Sequence, residues 1–273
     1  TERNLITNLT ITGAIDARDF KILRDSLSML VEINLLDASI NSFDGKIAPT
    51  FQPKSYQQNV IPEYAFCGNF KIRSIVLPKN TSKIAIGAFL ECSSLISVFI
   101  PSSVLSIGES AFSRCFNLQS VELPTSITTI SDGAFYSCYS LIQSPISTSV
   151  DTIGVSAFSF CSSLDTVNIP ETVKKIGKDA FSFCSNLKKL TIPSSLTKIP
   201  EYLCSGCSSL TDINIPNGVD TIEHAAFQGC RNLTTIAIPQ TLLYLGSETF
   251  NGCSNLLLSK IPSTVKYIGV GAF

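Results

Sequence analysis

The stretch KKIGKDAFSFCSNLKKLTIP, residues 174–193, sets a cysteine among lysines and an aspartate. A thiol beside such groups can lose its proton and act as a nucleophile, so Cys184 is a candidate reactive residue. In CSGC, Cys204 and Cys207 have the spacing of a thiol–disulfide redox pair. The single histidine, His224, is a candidate ligand. What these residues do depends on the elements that hold them.

The composition indicates a folded protein with little material for catalysis. Of 273 residues, 44% are hydrophobic and 15% are charged, which is enough apolar side chain for a large core. A net charge of −1 gives no electrostatic reason to expect nucleic acid or an anionic membrane as partner. No apolar run approaches the roughly 18 residues of a membrane span. One histidine, one methionine and no tryptophan are poor material for acid–base or metal chemistry, so no cofactor and no metal are expected.

A 23-residue repeat organises most of the chain. Its Phe slot is occupied by Phe66, Phe89, Phe112, Phe135, Phe158, Phe181, Phe227, Phe250 and Phe273, with Cys204 in the one missing position. Its Cys slot, three residues later, holds Cys92, Cys115, Cys138, Cys161, Cys184, Cys207, Cys230 and Cys253. Leucine follows the Phe slot by six residues and proline by twelve in most copies. Periods of about 20–50 residues are typical of solenoids and propellers.

Each repeat predicts a short strand followed by a compact turn. In LDTVNIP, residues 164–170, the alternation turns Leu164, Val167 and Ile169 inward, and Pro170 stops the strand. Val173 and Ile176 add inward residues after it. In KDAFSFC, residues 178–184, one helical turn would bring the alanine, the phenylalanine and the cysteine onto a common buried face.

This periodicity favours structural roles for the candidate reactive residues. Cys184 lies in the same slot as seven other cysteines, facing the core, and the lysines around it take slots that other repeats fill with polar residues. Disulfides between adjacent coils fit the strand spacing but not the parallel Cβ vectors, so free buried thiols are expected. Cys204 fills a Phe slot and Cys207 its regular Cys slot, which favours packing over redox chemistry. His224 is expected to be an ordinary exposed histidine.

The units IGESAFSRCFNLQSVELPTSI (residues 107–127) and IGVSAFSFCSSLDTVNIPETV (residues 153–173) resemble BspA-like leucine-rich repeats. This resemblance implies a right-handed, strand-dominated leucine-rich-repeat solenoid of the α/β class. A parallel sheet would line its concave face, with short helical turns and irregular structure on the convex face. It also implies a non-enzymatic adhesion module of bacteria, secreted or anchored at the outer membrane. Some family members bind host matrix proteins, and the family has no shared catalytic residues.

Residues 1–40 are predicted to form a capping unit, with a helix over DARDFKILRDSL begun by Asp16 as N-cap. Residues 41–60 break the period and predict an inserted loop. Residues 61–273 are predicted to be one continuous solenoid, with an irregular strand near residues 141–150. No basic-then-apolar leader segment follows Thr1, so we expect the signal peptide of an exported protein to lie outside this chain. The last repeat is incomplete, so we expect a longer natural protein or end-to-end association of otherwise monomeric chains.

The binding candidates are outward-facing side chains on the concave strands. They are Ile96, Phe99, Glu122, Asp165, Asn168, Lys188, Lys189, Asp212, Asn214 and Lys260. Apolar Ile96 and Phe99 beside mixed charges favour a protein partner, such as host extracellular matrix, or a glycan. The alternative is a structural spacer that presents another domain, which the small Ser and Thr residues in many outward slots favour.

Overall fold

The computed structural model describes residues 5–47, 50–257 and 260–273, without the side chains of residues 47, 50–54 and 212. The chain forms two compact units, Thr1–Ile127 (the N-terminal unit) and Thr128–Phe273 (the C-terminal unit). Each unit consists of β-solenoid turns joined by parallel strand pairing, with about 11 turns in the described residues of both together. The predicted leucine-rich-repeat solenoid, with parallel sheets and little helix, is confirmed.

The N-terminal unit contains one helix and eleven strands among its described residues. They are β1 (Asn8–Thr10), β2 (Gly13–Ile15), α1 (Ala17–Asp25), β3 (Glu32–Asn34), β4 (Ala38–Ile40), β5 (Phe43–Ile47), β6 (Thr50–Tyr56), β7 (Val60–Ile61), β8 (Ser74–Val76), β9 (Lys83–Ile84), β10 (Ser97–Phe99) and β11 (Ser106–Ile107). Its parallel sheets have the orders β1-β3-β8-β10, β7-β9-β11 and β2-β4.

The C-terminal unit contains ten strands among its described residues. They are β12 (Thr129–Ile130), β13 (Thr152–Ile153), β14 (Thr166–Asn168), β15 (Lys175–Ile176), β16 (Lys189–Thr191), β17 (Lys198–Ile199), β18 (Asp212–Asn214), β19 (Thr221–Ile222), β20 (Tyr244–Leu245) and β21 (Tyr267–Ile268). Its sheets have the orders β12-β13-β15, β14-β16-β18 and β17-β19-β20-β21. No strand forms at residues 141–150, as predicted from Pro145 and the serines there.

Each regular coil contributes one strand to each of two ladders. The long-strand ladder, with three residues per strand, pairs positions 23 apart, such as Ser97 with Ser74 and Lys189 with Thr166. The short-strand ladder, with two residues per strand, also pairs positions 23 apart, such as Lys175 with Thr152. The sequence indicated only the first of these sheets. In both ladders one residue per strand points into the core because side chains alternate along a strand.

Phenylalanine rings stack inside each unit. In the C-terminal unit, Phe158 lies 5.4 Å from Phe135 and 5.4 Å from Phe181 between ring centroids, with the planes within 7° of parallel. In the N-terminal unit, Phe89 stacks in the same way between Phe66 and Phe112, at 5.3 and 5.1 Å. These rings are almost fully buried. Because phenylalanine recurs every 23 residues, its rings form a column of large apolar side chains along each core.

The Phe-slot segments are not helical turns, and the expected helical turn at residues 178–184 does not form. Asp179 and Phe183 have positive φ values of 58° and 56°, and the same two positions are left-handed in the neighbouring repeats. Alternate amides bond differently: Phe181 N–H donates to Leu203 of the next coil (3.0 Å), and Ser182 N–H donates three residues back to Asp179 (3.1 Å). An α-helix would satisfy all these amides internally and leave the coils without backbone bonds on this side.

The Cys slot supplies a hydrogen bond as well as packing. Cys184 Sγ donates to the Phe158 carbonyl (3.2 Å), and Cys161 Sγ to the Phe135 carbonyl (3.2 Å). The same carbonyl of Phe158 also accepts the backbone N–H of Cys161 (3.1 Å), so the thiol occupies its second lone pair. Burial raises the pKa of Cys161, which keeps its thiol protonated and able to donate. All ten cysteines carry free thiols, as expected.

Helix α1 closes the first coil as predicted. Asp16 is the N-cap, and its side chain accepts from Arg18 N–H while Asp19 accepts from Asp16 N–H, which makes a capping box. The Arg18 guanidinium bonded to Asp16 holds the pKa of this carboxyl below its usual value. Phe20 is buried against Phe66, with 5.7 Å between the ring centroids. The helix therefore occupies the place of a Phe-slot segment.

Residues 41–60, predicted to be an inserted loop, contain the antiparallel hairpin of β5 and β6 and end in β7. The hairpin leaves the repeat, because β3 pairs with β8 at a separation of 42 residues, Glu32 with Ser74, instead of 23. It packs beside α1, where the Arg18 guanidinium lies 4.7 Å from the centroid of the Phe43 ring. The Phe43 and Tyr56 rings, 6.2 Å apart, join its strands. Cross-strand aromatic pairs favour hairpin over loop, a signal missed in the sequence.

Burial predicts the reactivity of the thiols. Only Cys67 and Cys253 are partly exposed. In the native protein without reductant, we expect at most these two thiols to react within minutes with a thiol-specific reagent at neutral pH. After unfolding in guanidinium chloride, all ten should react. Fewer than ten reactive thiols in the unfolded protein would demonstrate disulfides and contradict the free-thiol core.

Candidate functional site

The long-strand ladder presents two exposed positions per strand. We call the exposed side chains of this ladder, with those flanking its strands, the strand face of each unit. All predicted binding residues whose side chains are described are exposed: Ile96, Phe99, Glu122, Asp165, Asn168, Lys188, Lys189, Asn214 and Lys260. The side chain of Asp212 lies outside the described part of the structure. Glu122 and Lys260 lie outside the strands, although an isolated bridge joins the nearby Ser120 to Ser97.

In the N-terminal unit one part of the strand face, which we call the apolar face, is apolar, whereas Asn8, Glu32 and Asn34 on β1 and β3 are polar. Phe99 on β10 pairs with Val76 on β8, and 54% of the Phe99 surface is exposed. Ile96 immediately precedes the same strand and is also exposed. When a partner covers a large apolar side chain that is exposed on a rigid ladder, the burial of its surface favours binding.

A cavity that the sequence did not reveal adjoins this apolar face. Its volume is about 470 Å³, and it is lined by Ser28, Met29, Val31, Phe70, Lys71, Arg73 and Ser94. Val31 and Arg73 immediately precede β3 and β8, so the cavity continues the face along the sheet. Met29 and Phe70 are 52% and 65% exposed. Met29 and Phe70 fall outside the repeat positions that the sequence marked as outward, which is why they were missed.

In the C-terminal unit the strand face is polar. Lys188 Nζ and Asp165 Oδ1 form an ion pair at 2.9 Å, and both side chains are more than half exposed. Thr191 Oγ1 donates to Asn168 Oδ1 (3.0 Å) across β14 and β16, the two strands that follow Asp165 and Lys188. An exposed ion pair of this kind contributes only about 0–1 kcal/mol to stability. These groups are therefore free to exchange their contacts for those of a partner at little cost to the fold.

The candidate reactive residues occupy structural positions. Cys204 and Cys207 are fully buried, and Cys207 Sγ donates to the Phe181 carbonyl (3.1 Å). Burial raises the pKa of Cys184 and of Cys204, whereas a nucleophilic cysteine needs an accessible thiolate. His224 is half-buried, not exposed as predicted, because its ring packs edge-on against Tyr202 at 5.0 Å. Among residues 5–47, 50–257 and 260–273, no three metal-ligating side chains gather into a candidate metal site.

The lysines around Cys184 point into solvent, as predicted. Lys178 Nζ pairs with Glu201 at 2.9 Å and lies 4.9 Å from the centroid of the Tyr202 ring. This contact raises the pKa of Lys178, chiefly through the hydrogen bond to Glu201. Partial burial raises the pKa of Asp179. Neither group is directed at the Cys184 thiol, which donates to a backbone carbonyl instead.

The described residues include no helix with the length and hydrophobicity that crossing a bilayer requires.

The repeats match the family model of the BspA type leucine rich repeat region, in six copies, over residues 59–188 and 174–273. The chain therefore belongs to the BspA-type leucine-rich repeat family. No curated protein matches it. Leucine-rich-repeat proteins are generally non-enzymatic repeat modules, and the family fold suggests a protein-interaction module.

Solved structures share this fold. A leucine-rich repeat protein from Bacteroides ovatus ATCC 8483 is 27% identical over 88% of this chain, with a TM-score of 0.64. The match covers 53% of that protein, so this chain spans about half of its length. The T. pallidum leucine rich repeat protein TpLRR is 26% identical, with a TM-score of 0.55, over 83% of this chain and 97% of that one. A leucine-rich repeat protein from Eubacterium ventriosum ATCC 27560, 20% identical over 98% of this chain and 90% of that one, has a TM-score of 0.52.

Val98 and Phe99 are adjacent residues of β10 that point to opposite sides, Val98 into the core and Phe99 onto the strand face. Replacing the buried Val98 by serine should lower the free energy of unfolding by about 2–3 kcal/mol, because it removes packed methyl groups and buries a hydroxyl. Phe99→Ser should change it by no more than about 0.5 kcal/mol. Urea denaturation of both variants measures this. If Phe99→Ser destabilised the protein as much as Val98→Ser, Phe99 would be a packing residue and not part of an open surface.

Proposed function

We propose that this protein is a cell-surface or secreted adhesion-type module that binds protein partners through its strand face. The observation that carries the proposal is the apolar group of exposed Ile96 and Phe99 with half-buried Val76, beside the 470 Å³ cavity in the N-terminal unit. The protein-interaction role suggested by the family fold supports it.

The apolar face has the makeup of an interface centre. Energetic anchors of protein interfaces are commonly aromatic side chains that fill or border a cavity and lose their water on binding. Phe99 provides the ring, and the neighbouring cavity provides room for a side chain of the partner. Burying the exposed part of Phe99 would contribute about 1–2 kcal/mol. Arg73 and Lys71 at the cavity add positive charge for orienting an acidic group.

The polar face of the C-terminal unit has a different role. Lys188, Lys189 and Asp165 place charges of both signs on neighbouring strands. Rim charges of this kind mainly steer the approach of a partner and select among partners, and they add little affinity. Asn168 and Asn214 offer amide groups for hydrogen bonds beside them. We infer that this face contributes mainly specificity.

The state of the thiols is compatible with a location outside the cell. Exposed thiols oxidise readily there, whereas reaction requires both access and the thiolate form. Eight of the ten cysteines are buried, and the Cys-slot thiols are engaged as hydrogen-bond donors. The protein can therefore keep reduced cysteines in its core without a reducing compartment.

A binding screen against immobilised extracellular-matrix proteins and a glycan array tests the proposal. The variant is Phe99→Asp with Lys189→Glu. The matched control is Leu105→Asp with Lys83→Glu, which makes the same changes at exposed residues beside or within the short-strand ladder. We expect binding to at least one matrix protein that the variant lowers by tenfold or more, about 1.4 kcal/mol, and that the control preserves.

Equal binding by the variant and the wild type would exclude the strand face as the binding surface. The absence of binding across the screen would favour the alternative, a structural spacer without a ligand of its own.

A further inference from the structure

The short-strand ladder of the C-terminal unit is interrupted at one step. Strands β12, β13 and β15 form one sheet and β17, β19, β20 and β21 another, and β15 does not pair with β17 although they are consecutive in the repeat. A cleft of about 310 Å³ opens there, lined by Lys174, Lys175, Ile176, Ser195, Leu196, Thr197, Lys198, Pro200 and Glu223.

Pro200 explains the interruption. In other coils the residue after the inward isoleucine or leucine donates its N–H to the preceding coil: Gly177 to Ile153 (2.8 Å), Glu223 to Ile199 (2.9 Å) and Gly246 to Ile222 (2.7 Å). Proline has no N–H, so Pro200 cannot make this bond to Ile176. Proline takes the same slot in the N-terminal unit at Pro62, and a cavity of about 170 Å³ lies beside it as well.

The cleft is positively charged. Lys174, Lys175 and Lys198 are exposed, and none of the three forms an ion pair within the described part of the chain. The one carboxylate at the cleft, Glu223, accepts the backbone N–H of Glu201 (3.2 Å). Three ammonium groups thus face one carboxylate, and Ser195 and Thr197 add polar lining. The apolar lining residues Ile176 and Leu196 are buried, with 8% and 5% exposure, so the cleft offers no apolar anchor.

Beyond the cleft, the same ladder carries a row of residues with hydroxyl groups. Lys198, Thr221, Tyr244 and Tyr267 are in register on adjacent strands. At about 4.8 Å per strand, this column is about 14 Å long. The Tyr244 and Tyr267 rings are stacked at 4.7 Å between centroids and are 40% and 47% exposed. Each tyrosine presents a ring edge and a hydroxyl to solvent.

We propose that this cleft and column bind an acidic glycan, a saccharide chain bearing sulfate or carboxylate groups. The lysines would receive the anionic groups, and the tyrosine hydroxyls would hydrogen-bond the sugar hydroxyls, whereas the Thr221 hydroxyl already donates to Asp220 Oδ1 (2.7 Å). Ammonium groups on flexible stems bind such anions as point charges. An acidic peptide fits less well, since peptide recognition commonly relies on apolar anchors that this cleft lacks. The site is separate from the strand face and does not depend on its function.

Calorimetry with heparin, a sulfated uronic-acid glycan, tests this site. We expect binding that weakens as salt increases. Substituting Lys174, Lys175 and Lys198 all by glutamine should lower the affinity by about tenfold or more. The matched control substitutes three exposed lysines elsewhere, Lys21, Lys46 and Lys79, by glutamine. It lowers the net charge by the same amount and should change the affinity less than about twofold.

Pro200→Gly tests the cleft with all lysines in place. Glycine restores the N–H that Gly177 and Gly246 use in the same slot, so it should close the cleft and also weaken heparin binding. Equal loss in the two lysine triples, no heparin binding by the wild type, or equal binding of heparin whose sulfate and carboxylate groups have both been removed would overturn the proposal. So would polyglutamate or single-stranded DNA binding as tightly as heparin, since either outcome indicates a site for charge alone. The Phe99→Asp variant, which leaves this site unchanged, should bind heparin like the wild type.

Discussion

Hydrogen bonding between successive coils is the interaction on which the rest of this structure depends. A 23-residue coil of this path makes few backbone hydrogen bonds within itself. Its amides are instead satisfied by the coils on either side, through two strand ladders and the alternating amides of the Phe-slot segment. Because the bonds join equivalent residues, every coil must keep the same path. This requirement fixes the period and places like side chains above like, as in the column of stacked phenylalanines.

The same requirement explains the residue types of the core. A Phe-slot carbonyl already accepts one backbone amide, and the thiol of the next coil supplies a small buried donor for its second lone pair. Serine and threonine act likewise two residues after the proline: Thr172 Oγ1 donates to the Val150 carbonyl (2.8 Å), and Thr241 Oγ1 donates to Val219 (2.7 Å). The cysteines that first suggested chemistry are thus part of the backbone hydrogen-bonding system.

Much of this fold was predictable because the repeat places the same residue types at equivalent positions of successive coils. Val167 and Ile169 predicted the inward side of a strand, and Asp16 predicted the N-cap of α1. The left-handed positions at Asp179 and Phe183 were not predictable, since residues of these types seldom adopt positive φ and only the bonds to adjacent coils hold them there. The β5–β6 hairpin has a local signal, the Phe43 and Tyr56 pair, which the repeat period did not reveal. The cavity at Met29 and Phe70 arises from packing between segments distant in sequence. The effect of Pro200 depends on a ladder bond between coils that only the structure identifies.

Function is consequently confined to what the coils do not use. The strand face of the N-terminal unit has an apolar part, that of the C-terminal unit is polar, and the Pro200 cleft arises where a ladder bond is missing. Residue-resolved hydrogen exchange of the native protein tests the central claim most directly. The amides of Phe135, Phe158 and Phe181, which bond to the next coil, should exchange with free energies within about 1 kcal/mol of that for unfolding the C-terminal unit. Exchange of these three amides at rates near those of an unfolded chain would contradict the account.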